Sequence, residues 1–201
     1  MKRLSKWFYL GSMIGGPVAG IFLFIAALVI LALSGILTGY IVDLSYADTW
    51  TLVTSILLIL SGGAAILFGL SIWYILLYRA WSVIQDGHAS TTPGKAVGFI
   101  FIPFYDFYWI FRAWWGFARD YNRYIEHHDL NIPKLNASLF LAFCILSICS
   151  IVLSLPIPSL QNTYLVYLAE LPVLVIFIIT ANQTIDAVNS LLASGAETTN
   201  K

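Results

Sequence analysis

Few side chains in this sequence have types and spacings that could do chemistry. Glu170 is the sharpest of them, a carboxyl group inside an apolar run and just ahead of Pro172. In hydrocarbon a lone carboxylate costs several kcal/mol, so it must be paired, hydrated or protonated. Such a group can serve a proton or cation path, or hold a partner. The apolar runs contain no Lys or Arg, so a hydroxyl, an amide or water has to meet it. Asp106 follows Pro103, with Arg112 and Arg119 downstream. Guanidinium groups match phosphate geometry, so these three residues suggest a cradle for a head group or another anion. Asn182, Gln183, Asp186 and Asn189 form a third group. Asn182, Asp186 and Asn189 stand at i, i+4 and i+7 and share one helical face. That face reads either as a polar inner mouth meeting the Asp106 region or as an ordinary polar helix exit.

Other groups promise less. His127, His128 and Asp129 are contiguous, and the remaining histidine is His88. A metal ion needs three or four converging donors, and neighbours on a helix point about 100° apart. No metal site and no cofactor are expected from this pattern. Cys144 and Cys149 lie in one apolar run and read as small fillers. No Ser-His-Asp order, CxxC, phosphate loop or dinucleotide fingerprint is present, so no catalytic residue is expected and a non-enzyme is favoured.

The elements that carry these residues follow from composition. Of 201 residues, 60% are hydrophobic and 10% are charged, against about 25% charged in an ordinary soluble domain. Mean hydropathy is +0.86. The chain cannot cover itself with polar groups and reads as a multi-span membrane protein. Lys plus Arg number 10 and Asp plus Glu number 10, so no basic excess remains for a phosphate backbone and no nucleic-acid partner is expected. Phospholipids are the expected partners, with a membrane-protein complex or homo-oligomer as a further possibility.

A helical crossing takes about 20 apolar residues. The runs place spans at about 16–40, 51–77, 135–155 and 163–185, within a single integral membrane domain covering 1–201. Pro17 marks a kink or the true start of the first span, and Pro172 a kink in the fourth. Pro156 and Pro158 end the third and make a turn. Lys2, Arg3 and Lys6 ahead of a long apolar run read as an uncleaved signal anchor. Small residues four apart at Gly11/Gly15, Gly16/Gly20, Gly35/Gly39 and Ala65/Gly69 favour close helix contact in lipid.

The stretch 94–130 is apolar enough to tempt a fifth crossing, but charge argues against it. With four spans all 10 Lys and Arg residues lie on one side, and the outer loops keep only Asp43 and Asp48. Basic residues mark the cytoplasmic side, so both termini are expected there. At helical spacing Arg112, Gly116, Arg119, Arg123 and Glu126 form one stripe, and Ile110, Trp114, Phe117, Ala118, Tyr121 and Ile125 the opposite one. This pattern predicts a helix lying in the membrane interface over about 96–128, with Trp114 and Trp115 as lipid anchors. Ala96 to Ile102 is short, and either dips into the bilayer or packs at the inner mouth. The expected fold is therefore all-α: a four-helix transmembrane bundle with a cytoplasmic-side interfacial or re-entrant segment between spans 2 and 3.

The run from Thr92 to Trp109, TPGKAVGFIFIPFYDFYW, resembles a signature of bacterial multi-span membrane proteins of unknown function, the DUF4328-type group. Trp81 before it and Asn122 after it extend the likeness over 79–123. Asp106 stands where that group carries an asparagine. The resemblance implies a bacterial plasma membrane and makes the inner segment the working end, and it implies no reaction or substrate. The leading functional expectation is a small accessory or structural membrane subunit that presents residues 86–134 to a partner. A small transporter or channel using Glu170 and the polar inner mouth is one alternative. A lipid-headgroup-binding protein or enzyme using Asp106 and Arg112 is another.

Overall fold

Two long apolar runs become two long helices because lipid leaves the backbone no partner but itself. A computed structural model of the chain describes residues 2–33, 37–38, 41–42, 49–154 and 163–198. Helix α1 spans Lys6–Leu33. Strands β1 (Leu37–Thr38) and β2 (Ile41–Val42) pair antiparallel, with Leu37 opposite Val42 and Thr38 opposite Ile41. Helix α2 spans Thr49–Ser82. The first span therefore begins at Lys6 rather than near 16 and ends before 37. Pro17 lies inside α1, not at its start. The expected turn at Pro156 and Pro158, the outer Asp43 and Asp48, Gly35 and Gly39, and Lys201 all lie outside the described residues.

The chain divides into two compact units, Trp7–Trp73 and Met1–Lys6 with Tyr74–Lys201. In the first unit α1 and α2 meet through glycine. A Cβ added to Gly20 would stand 2.5 Å from the carbonyl oxygen of Gly62, and one on Gly16 would stand 2.7 Å from that of Ala65. Backbone approaches backbone at these points, and only hydrogen side chains allow it. Gly16/Gly20 and Ala65/Gly69 are thus contact points, as their spacing suggested. Gly11, Gly15 and Gly63 face open space. Elsewhere both helices leave Phe22, Leu57 and Leu67 more than half exposed, a surface that water would not tolerate and lipid would.

The second unit starts with the last two turns of α2. A connector, 83–92, leads to α3 (Pro93–Gly98). Thr92 caps α3 by accepting the Lys95 N–H at 3.4 Å, and Pro93 occupies the first turn, where its missing N–H costs nothing. A short 3₁₀ turn, Phe99–Phe101, follows. The chain then reverses, with Phe104 at φ 65°. Helix α4 (Asp106–Ile110), a π-helical turn (Phe111–Trp115) and α5 (Gly116–His127) continue one into the next.

Helix α6 (Ala137–Leu153) is capped by Asn136, and α7 spans Thr163–Thr198 through Pro172. The fourth apolar segment is therefore not finished at 185. Its polar continuation stays helical because residues 4–6 bind it, as described below. α6 and α7 run antiparallel, Phe143 meeting Phe177 and Ser150 meeting Glu170. α5 also runs antiparallel to α6, Asn122 meeting Leu135 and Trp114 meeting Phe143.

Three helices have the length and composition of membrane crossings, Lys6–Leu33, Thr49–Ser82 and Glu170–Ser194, and Ala137–Leu153 is a shorter apolar helix between the second and third. The protein is an all-α, multi-span membrane protein. Gly20→Ala should clash with the Gly62 carbonyl and lower stability by about 1–3 kcal/mol. Gly63→Ala, which meets nothing, should be neutral or slightly stabilising. Thermal unfolding of both variants in one detergent compares them directly.

Candidate functional site

Glu170, Asn182 and Asp186 lie on α7, and Asp106, Arg112 and Arg119 on the segment between α2 and α6. Its inward side is a core of aromatic rings. Trp81, Trp114, Phe117, Phe140 and Tyr121 are almost fully buried. The Trp81 Nε1–H donates to the Ala113 carbonyl at 2.9 Å, and the Trp109 Nε1–H to the Ala96 carbonyl at 3.1 Å. Within the π turn the Gly116 N–H reaches the Phe111 carbonyl, one residue beyond the α-helical partner. Carbonyls at this widened turn accept side-chain donors, Ala113 from Trp81 and Ile110 from the Cys144 thiol at 3.5 Å. Cys144 is a buried filler as expected, while Cys149 is exposed.

This core corrects one expectation. Trp114, Phe117, Ala118, Tyr121 and Ile125 do form one stripe, but the protein itself buries them. Trp114 packs edge-on against Phe143 of α6, so it is not a lipid anchor. An amphipathic stripe reports only that something apolar covers it, and here that is the body of the second unit. Burial also pushes the Tyr121 hydroxyl up to about 12, so it stays a neutral phenol. The opposite stripe is as the spacing foretold: Arg112, Arg119, Arg123 and Glu126 are exposed.

The expected anion cradle is not assembled. Asp106 sits in the first turn of α4, where its carboxylate accepts its own helix's Phe107 N–H at 3.0 Å. Arg119 lies over the Trp115 ring, 4.9 Å from its centre, and Arg112 is exposed. Among the described residues no hydrogen bond or ion pair joins Asp106 to either arginine.

The polar face of α7 also finds partners other than those expected. Asn189 grips the backbone of Leu4 in both directions, accepting its N–H at 2.6 Å and donating to its carbonyl at 2.9 Å. Asp186 pairs with Lys6 at 2.7 Å. These contacts replace both the ordinary helix exit and a meeting with Asp106, and Asn182 stays partly exposed. An open groove of about 400 Å³ lies beside them, lined among others by Tyr121, Lys134, Gln183 and Asp186. Glu170 accepts a hydrogen bond from Ser150 Oγ at 2.5 Å. A hydroxyl partner meets the carboxyl group, as the lack of basic residues in the spans required.

Two features were not legible as sites. Asn122 pairs with Leu135 through both ends of its amide, at 2.8 Å each. It thereby closes the α5–α6 turn like a strand partner. The second feature is a cluster of all three histidines. Asp86 on the connector stands 3.3 Å from His128 Nε2 and 3.8 Å from His88 Nδ1. The rings of His88 and His127 are 5.0 Å apart, and those of His127 and His128 5.1 Å. His128 follows the last residue of α5 as its C-cap. Beside the cluster is a cavity of about 80 Å³ whose walls include Asp120 and Arg123. Buried Asp120 accepts the Ser90 N–H at 2.7 Å, which holds the connector on α5.

No protein family, curated protein or solved structure matches this chain.

Two measurements check this geometry. Asn122→Ala leaves the Leu135 N–H and carbonyl without partners and should cost about 2 kcal/mol in unfolding. Burial alone would raise the Asp86 carboxyl, but hydrogen bonds from the His88 N–H and the His128 ring outweigh it and hold the group below its ordinary value. A lowered carboxyl stabilises above the unfolded-state value and loses that contribution as pH falls through the folded one. Protection factors of residues 83–92, corrected for the intrinsic pH dependence of exchange, should therefore be high at neutral pH and fall below about pH 4. Asp86→Asn should remove the acid-dependent part.

Proposed function

We propose that this protein is a small accessory or structural membrane subunit that presents its 86–134 segment to a partner at the inner face of a bacterial plasma membrane. The observation that carries the reading is the two-sidedness of that segment. Its apolar side is consumed in the protein's own core, so it is rigid before any partner arrives. Its other side keeps Lys95, Arg112, Arg119, Arg123, Glu126 and Lys134 outward. Such a preformed charged face steers and orients an oppositely patterned surface.

The same reading has four crossings, with Ala137–Leu153 as the short one and both termini cytoplasmic. It rests on the one-sided distribution of the basic residues. The bacterial location rests on the likeness of 92–109 to the DUF4328-type group. Within this topology the stretch 96–105 dips into the bilayer, and the helix after it lies at the inner face. The turn exposes Phe101, Ile102, Phe104 and Tyr108, and Phe101 rests on Tyr74 of α2, their ring centres 4.9 Å apart. An apolar turn beside an apolar helix suits acyl chains, with the downstream arginines at phosphate depth.

Phospholipid recognition by Arg112 and Arg119 is thus a companion to the subunit role. The transporter alternative has less support, because Ser150 on the neighbouring helix already meets Glu170.

The test is a charge reversal. Lys95→Glu, Arg112→Glu and Arg119→Glu combined should leave unfolding in detergent nearly unchanged, because all three side chains are exposed. The same variant should lose any stoichiometric partner that co-purifies with the wild type from its native membranes. A triple variant that keeps that partner refutes the reading. For topology, single cysteines at 95 and 134 in a cysteine-free background should react with a membrane-impermeant maleimide only after the inner face is opened.

A further inference from the structure

The three histidines and Asp86 close into a ring of neighbours: Asp86 to His88, His88 to His127, His127 to His128, and His128 back to Asp86. We propose that these four side chains form a binding site for a single borderline divalent transition metal ion, of which Zn²⁺ is the type. The site lies within the 86–134 segment, away from the exposed Arg112 and Arg119 on which the subunit reading rests.

The donor chemistry is the first support. Three imidazoles and one carboxylate make a four-coordinate set that such an ion accepts. Spacing is the second. Metal–nitrogen bonds of about 2 Å at tetrahedral angles put the centres of two bound imidazoles roughly 5 Å apart. The two ring pairs stand at 5.0 and 5.1 Å. As the rings now stand, no group of three His, Cys, Asp or Glu among the described residues could hold a metal ion. His88 and His128 are 69% and 40% exposed, and His127 is exposed too. Turning the exposed rings about χ2, a broad sp³–sp² torsion, would re-aim their nitrogens while leaving the ring centres and the backbone in place.

The backbone already holds both halves of the site. The Asp86 carboxylate accepts the His88 N–H at 2.9 Å, which folds the connector into a tight turn. Gly87, at φ 90°, allows that turn. Asp120 anchors the same connector to α5 through Ser90. The charged groups around the ring are Asp120 and Arg123 on α5, which pair with each other at 3.5 Å. Glu126, further along α5, is occupied by Lys134. Bound metal would staple the connector to the C-terminal end of α5.

The experiment uses full-length protein in detergent with a purification tag free of histidine. Isothermal titration with Zn²⁺ near pH 7.5 should give one equivalent with micromolar or tighter affinity. Co²⁺ in its place should give the intense visible bands of a tetrahedral site. His88→Ala, His127→Ala and Asp86→Asn should each weaken binding about tenfold or more, and Asp129→Asn should not. Imidazole ligates only when neutral, so lowering the pH to about 5.5 should release the ion. The substituted side chains reach solvent, and unchanged unfolding without metal verifies that each variant is folded. Absence of stoichiometric uptake overturns the proposal. Uptake that survives all three substitutions overturns it equally.

Discussion

A polar group surrounded by hydrocarbon must find its hydrogen bond inside the protein. Much of this structure answers to that constraint. Along α2, Thr54, Ser71 and Ser82 return their hydroxyls to carbonyls one turn back, at 2.7 Å each. On α7, Thr184 does the same to Thr180 at 2.8 Å. These bonds let hydroxyl residues sit in long apolar helices at little cost. Glu170 extends the rule between helices, where Ser150 of α6 donates its hydroxyl to the carboxyl group. The π turn applies it within the inner segment, where carbonyls at a widened stretch of helix receive Trp81 and Cys144.

Where the backbone must approach another backbone, side chains disappear. The glycine contacts of α1 and α2 and the aromatic packing around Trp81 and Trp114 are two solutions to the same shortage. In lipid the hydrophobic effect does not draw helices together, so attraction comes from closeness and from interlocking shape. The first unit uses closeness, and the second uses large rings. The second solution gives a rigid platform, and a rigid platform lets an exposed charged face work without first being ordered.

Local patterns survived the passage from sequence to structure better than partnerships did. The apolar and basic stripes of α5 are where their spacing put them, because periodicity is a property of the helix alone. What covers the apolar stripe depends on Phe140 and Phe143, which lie on another helix, and no local pattern announces that. The α7 polar face shows the same limit. Asn189 and Asp186 were legible as a face, but their partners Leu4 and Lys6 come from the opposite end of the chain. The helix starts were less legible. Pro17 suggested a boundary, yet a proline inside a membrane helix is tolerated where neighbours fill the gap, and Pro17 packs at Gly69. The histidine cluster was hidden because His88 reaches the other two through the fold.

The grip of Asn189 on Leu4 bridges 185 positions of sequence. The ribosome makes Leu4 long before Asn189. Whatever α1 and α2 do on entering the bilayer, Leu4 cannot dock on α7 until that helix has been made. Residues 4–6 thus act as a latch whose closing waits for α7.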